Sequence, residues 1–163
     1  MPKLLMVCGP NGAGKSTLTR SLAVRDGMLV IDTDQFASEG LSPIAAGKAA
    51  ANMARMCLRS GISFARESTL TAKFDFRLME DAKARGYTVE LVYICLASSI
   101  LALERVAARV ARGGHNVPAE DVKRRFQRSL NNLPEAMRLA DSVTLLDNSN
   151  GHLVSLEQIN MPM

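Results

Sequence analysis

Short apolar runs alternate with stretches of helical spacing along the whole chain, the pattern of a mainly parallel sheet covered by helices on both faces. The spacing predicts strands at Lys3 to Cys8, Met28 to Ile31, Ile62 to Arg66, Tyr87 to Cys95 and Ser142 to Leu146. Helices are expected from Lys15, where Leu18, Leu22 and Ala23 share a face, from Ser42-Pro43, from Phe74 to Arg85, and from Ser98 or Ser99 to about Arg112. Gly27, Gly61 and Gly86 stand where a helix needs a left-handed residue to stop, and Ser42-Pro43 supplies a cap and a first-turn residue. After Gly113-Gly114 and Pro118 a basic helix is expected to reach Asn132, and Pro134 to Ala140 reads as a separate short helix. The tail beyond the turn Asp147 to Gly151 offers one further short antiparallel strand.

The loop between the first strand and first helix carries the chemistry. Gly9-Pro10-Asn11-Gly12-Ala13-Gly14-Lys15-Ser16 fits G-x-x-x-x-G-K-[ST] at every fixed position, in the strand-to-helix context that the mechanism requires. Glycines let the backbone turn its N–H groups inward around a β-phosphate, and the following helix offers its positive end to the same anion. Lys15 supplies a mobile cation for the β- and γ-phosphates, Ser16 a hydroxyl for Mg²⁺, and Thr17 a contact to the α-phosphate. The implied cofactors are ATP, with GTP left open, and Mg²⁺ held through the nucleotide more than by a protein cage.

Length and composition narrow the remainder. The 163 residues suit one domain spanning 1–163, with no apolar run near the roughly 20 residues of a membrane helix, and a soluble, cytoplasmic protein is expected. Cys8, Cys57 and Cys95 lack metal-type spacing and read as reduced thiols. Between Leu101 and Leu130 six Arg and one Lys face three acids, an excess equal to the chain's whole net charge of +4. Such a cluster attracts phosphates, yet two Tyr, five Phe and no Trp leave few platforms on which nucleic-acid bases could stack. No long apolar strand ends in the acidic pair of the large switch ATPases; the strand ends offer Asp32, Asp34 and Glu67 instead. A short chain with a basic, lid-like segment at about 105–130 points to an α/β, nucleoside-kinase-like three-layer αβα sandwich. His115 follows the two glycines of that segment and is a candidate for a phosphate or substrate contact or for a structural cap.

Four motifs carry a resemblance: residues 9–17, Ile-Asp-x-Asp-x-Phe at 31–36, Glu-Ser-Thr-Leu at 67–70, and Arg-Gly-Gly-His-x-Val-Pro at 112–118. With Arg124-Arg125-Phe126-x-Arg128-Ser129-Leu130, they make the chain similar to the zeta-toxin-like kinases, the UDP-N-acetylglucosamine kinase family. The resemblance implies a five-stranded, mainly parallel sheet of order 2-3-1-4-5 and transfer of the ATP γ-phosphoryl group to a hydroxyl of a sugar nucleotide or another small metabolite. It places Asp34 as general base, Glu67 and Thr69 at the acceptor, and Arg112 and Arg125 on the γ-phosphate, with Arg109, Arg124 and Arg128 as competitors. Asp32 would orient Lys15, hold a magnesium-bound water or meet the acceptor. It also implies an antitoxin-like protein inhibitor as a second partner. Where the toxins carry an arginine after the acid-hydroxyl motif, this chain has Thr71, which leaves the acceptor open. Two alternatives stay beside this reading: a nucleotide-gated binding module with a protein partner, and a nucleic-acid end kinase using the basic helix as a phosphate rail.

Overall fold

The first strand, β1 (Lys3–Cys8), is apolar on both sides because both of its faces are covered. Leu4, Met6 and Cys8 enter one buried cluster, while Leu5 and Val7 enter a second on the opposite face. The computed structural model describes residues 1–160. The other strands are β2 (Leu29–Ile31), β3 (Phe64–Ser68), β4 (Thr88–Cys95), β5 (Ser142–Asp147) and β6 (Val154–Asn160). They form a six-stranded sheet of order β2-β3-β1-β4-β5-β6, parallel throughout except for the antiparallel β6. The expected order of five strands stands; the count of five that the resemblance implied is corrected to six by β6, the short antiparallel strand that the tail was expected to offer. Its side chains are mostly exposed, so the alternation that marks a buried strand is absent there.

Helices α1 (Lys15–Asp26) and α5 (Ser99–Ala111) cover one face; α3 (Pro43–Ser60) and α4 (Lys73–Ala84) cover the other. The long α6 (Ala119–Leu139) contributes Val122 and Phe126 to the cluster of Leu5 and Val7, Ala136 and Met137 to that of Leu4, Met6 and Cys8. Their ends follow local chemistry. Ser42 Oγ accepts from the Ala45 N–H, Ser98 Oγ accepts from the Leu101 N–H, and Gly27 and Gly61 close α1 and α3 in the left-handed conformation.

Two expectations fail. Residues 119–139 form one helix with Pro134 inside it, where a break was expected. Leu133, Ala136 and Met137 continue the apolar face past Pro134, and their packing outweighs the hydrogen bond that proline cannot donate. A short helix that the spacing did not announce, α2 (Thr33–Ser38), follows β2. It buries none of its residues, so it carries no apolar period to be read.

Candidate active site

The carboxyl ends of the parallel strands open into one cleft of about 1140 Å³, into which β1, β2 and β3 each deliver a loop. The loop after β1 turns at Gly9 (φ 149°), Gly12 (φ 80°) and Gly14 (φ 88°). At Gly9 a side chain is excluded outright, since a Cβ would stand 2.5 Å from the Ile94 carbonyl oxygen. Gly14 caps α1 with no side-chain hydrogen bond, so the first-turn amides of α1 keep no protein acceptor. Lys15 Nζ donates to the carbonyl oxygens of Gly9 and Pro10, 2.9 Å each, which leaves one N–H of the ammonium for a further acceptor. Burial holds that ammonium below its ordinary pKa, against the opposing pull of Glu67 and Asp34. Asn11 Oδ1 is buried in the same loop without a partner.

The acids gather opposite. Asp32 caps α2, its Oδ1 accepting the Asp34 N–H at 3.0 Å. The chain turns helical at Thr33, and both carboxylates line the cleft. Glu67, expected at the acceptor, accepts from Ser16 Oγ at 3.0 Å and so sits against the P-loop. Burial pushes the Asp32 and Glu67 carboxyls above their ordinary range, and the charge of Asp32 adds to the effect on Glu67. A cation among these oxygens would reverse that shift, and the hard oxygen set suits Mg²⁺. Among the described residues no group of three or more His, Cys, Asp and Glu is arranged to hold a metal by itself.

Alternation along β3 sends neighbouring side chains to opposite faces. Glu67 turns toward the P-loop, while Arg66 and Ser68 turn toward α4: Arg66 Nε donates to Asp75 Oδ1 at 3.1 Å and Ser68 Oγ donates to Asp75 Oδ2. The loop that follows is strained at Leu70, a fully buried residue with φ 58°; the Leu70 N–H donates to Ser68 Oγ and its carbonyl accepts from Asn132. Thr69 and Thr71 pair through their hydroxyls at 2.9 Å at the cleft wall. Ser68 and Thr69 do not cap α4, whose cap position is Ala72.

Arginines close the third side. Arg112 and Arg125 line the cleft, the first exposed at the end of α5, the second half-buried on α6. Arg109 also lines it, donating through Nη2 to the His115 carbonyl at 3.0 Å while its Nε is buried without a partner. His115 is exposed and reaches the cleft rim. Arg124 pairs with Asp121 in solvent at 2.8 Å, and Arg128 is exposed outside the cleft lining. Sequence reasoning missed Arg105, whose Nη2 donates to the carbonyls of Asn148 and Ser149. Asn148 in turn donates to the Ala13 carbonyl at 2.9 Å, so the turn after β5 is bound to the P-loop. The spacing 105, 109, 112 puts three arginines on one face of α5 and was the signal available.

A Walker-type glycine loop on the central strand of such a sheet, with acids and arginines facing it, defines an α/β P-loop kinase-like fold. The chain belongs to the AAA domain family, a P-loop kinase-like family whose profile matches residues 4–133. It is 36% identical over 130 residues to an uncharacterised protein of Haemophilus influenzae, covering 76% of this chain and 92% of the other. Among solved structures, it resembles one from the PezAT toxin–antitoxin system of Streptococcus pneumoniae (TM-score 0.74, 17% identity, 97% of this chain and 72% of that one). It also resembles AvrRxo1-ORF1:-ORF2 with ATP (TM-score 0.76, 18% identity), covering 98% of this chain and 59% of that longer one. A gluconokinase of Sinorhizobium meliloti shares the fold at TM-score 0.52 and 18% identity, over 90% of this chain and 82% of that one. No helix among the described residues is long and apolar enough to cross a membrane.

Proposed function

We propose that the chain is an ATP- and Mg²⁺-dependent small-molecule kinase that transfers the γ-phosphoryl group to an acceptor hydroxyl. The observation that carries the reading is the single cleft in which Lys15 and Ser16 face Asp32, Asp34 and Glu67, with Arg109, Arg112 and Arg125 on the rim. The geometry fits the nucleotide: the glycine turns, the free amides at the start of α1 and the uncommitted N–H of Lys15 are all donors suited to phosphate oxygens. Mg²⁺, when bound with the nucleotide, would supply positive charge against the charge developing on the transferring group.

The chain's own residues then divide the work. The P-loop residues Gly9 to Ser16, with Thr17, hold the phosphates; Ser16 Oγ would hold Mg²⁺, and Glu67 beside it, with Asp32, would hold water on that metal. Asp34 is exposed on α2 and bound through its backbone alone, which leaves its carboxylate available to accept the proton of the acceptor hydroxyl. Arg112 and Arg125 stabilise charge on the transferring group, with Arg109 as third member, while Thr69 and His115 meet the acceptor. The loop between α5 and α6 acts as the lid over the chain's one kinase domain, excluding water on closing. The acceptor is a sugar nucleotide, as in the zeta-toxin-like kinases, or another small metabolite. Likeness in fold to a PezAT component supports an antitoxin-like inhibitor as protein partner, and the expected location is the cytoplasm.

Transfer from γ-labelled ATP to a panel of sugar nucleotides, nucleosides, small alcohols and RNA ends tests the reading. Transfer to one acceptor class is expected, falling about a hundredfold or more in Asp34→Asn with ATP affinity retained. Nucleotide binding without transfer to any acceptor would favour a nucleotide-gated binding module instead.

A further inference from the structure

Besides the α5 arginines, the cleft lining holds a second set of cations, from β3 and α3. Arg66 is 7% exposed, deep at the end of β3, and its Nε is engaged by Asp75, but its Nη1 is buried with no partner. Two guanidinium groups stand over the Phe74 ring, with Arg66 Cζ 5.0 Å and Arg55 Cζ 5.2 Å from its centre. Arg55 comes from α3, and Lys48 and Asn52 precede it at helical spacing on the same face; all line the cleft. Asp75 is the carboxylate paired with this group; among the described residues neither Lys48 nor Arg55 forms an ion pair, and Arg55 Nη1 donates to Asn52 Oδ1 at 3.3 Å.

A purely structural role accounts for part of this. Asp75 neutralises Arg66, and stacking on Phe74 orients it. It leaves unexplained why a residue of the cleft lining keeps a buried N–H without an acceptor, and why a second guanidinium over the same ring and a lysine on the same helix face carry no carboxylate partner among the described residues. A planar guanidinium with a free donor, beside a second one over the same ring, is suited to the paired oxygens of a carboxylate or phosphate.

We propose that Arg66, Arg55 and Lys48 form an anion subsite, and that the acceptor is a small alcohol carrying a phosphate or carboxylate group. The anion is received by these cations and the hydroxyl faces Asp34; the placement of the hydroxyl rests on the kinase reading, whereas the subsite itself does not. Binding requires no covalent change there.

The test uses the whole chain saturated with Mg²⁺ and a non-hydrolysable ATP analogue, so that the P-loop is not available to a second anion. Calorimetric titration compares glycerol 3-phosphate, glycerate and glycerol. At least one of the two anions should bind at millimolar concentration and glycerol should not, and the stronger of the two identifies the anion. Arg55→Gln combined with Lys48→Gln, both surface changes, should weaken the anion about tenfold or more while leaving nucleotide affinity within about twofold. Arg66→Gln leaves Asp75 buried and unpaired and is a folding risk, so the α3 pair carries the decision. Binding of neither anion, equal binding of glycerol, or unchanged affinity in the double variant would overturn the subsite. Anion binding without phosphoryl transfer would sustain the subsite and sink the kinase reading; transfer to neutral alcohols at the same rate in the double variant would do the reverse.

Discussion

Gly9 has room for nothing beyond its hydrogens. With φ at 149° and the Ile94 carbonyl 2.5 Å from any Cβ, Gly9→Ala must move backbone against backbone. We expect a loss of about 2–3 kcal/mol in chemical denaturation together with lost nucleotide binding; a stable variant with intact affinity would show that the contact yields cheaply. Such positions are legible in a sequence because only glycine satisfies them, and the same holds for Lys15 and Ser16, fixed by spacing to that loop. Arg66 and Arg105 were not legible. Arg66 sits inside a strand where a buried cation runs against the apolar pattern, and its partner Asp75 lies in another element. Arg105 binds backbone carbonyls of Asn148 and Ser149, acceptors that every residue type offers equally.

Strands and helices followed the pattern wherever an apolar period met a stop signal, as in α3 between Ser42 and Gly61. It failed where one of these was missing: α2 buries nothing, and Pro134 signalled a break that α6 overrides. One junction between elements is polar and testable. Asp141, between α6 and β5, accepts from Lys83 of α4 at 2.7 Å and from the Val89 N–H of β4 at 2.8 Å. Burial works against its ionisation, but the Lys83 ammonium and the Val89 N–H outweigh it and hold the carboxyl below its ordinary value. A carboxyl lowered in the folded state stabilises the fold above the unfolded pKa, and that contribution fades as pH falls through the folded one. Asp141→Asn should therefore destabilise at neutral pH, with the difference from the parent shrinking in acid. Parallel stability profiles across that range would show that the charge is not what matters there.

The strand order placed the P-loop on a central strand, as the family resemblance implied; the way the two halves of the cleft are joined was not foreseeable. The Gly9 N–H donates to the Ser68 carbonyl at 3.2 Å, Ser16 to Glu67, and Ser68 to Asp75, which holds Arg66. Polar contacts thus run from the phosphate loop along β3 to Arg66 without leaving these few residues. We expect thermodynamic linkage along these contacts: a ligand that settles one end would change the free energy of filling the other, and by reciprocity the effect would be equal in both directions. Titrating the acceptor-side anion with and without nucleotide, then nucleotide with and without the anion, should give the same factor, about fivefold or more. Ser68→Ala, which keeps the carbonyl but cuts the link to Asp75, should shrink that factor toward one. Catalysis would then begin with a choice of order, the site becoming fully receptive to its second ligand only after the first has arrived.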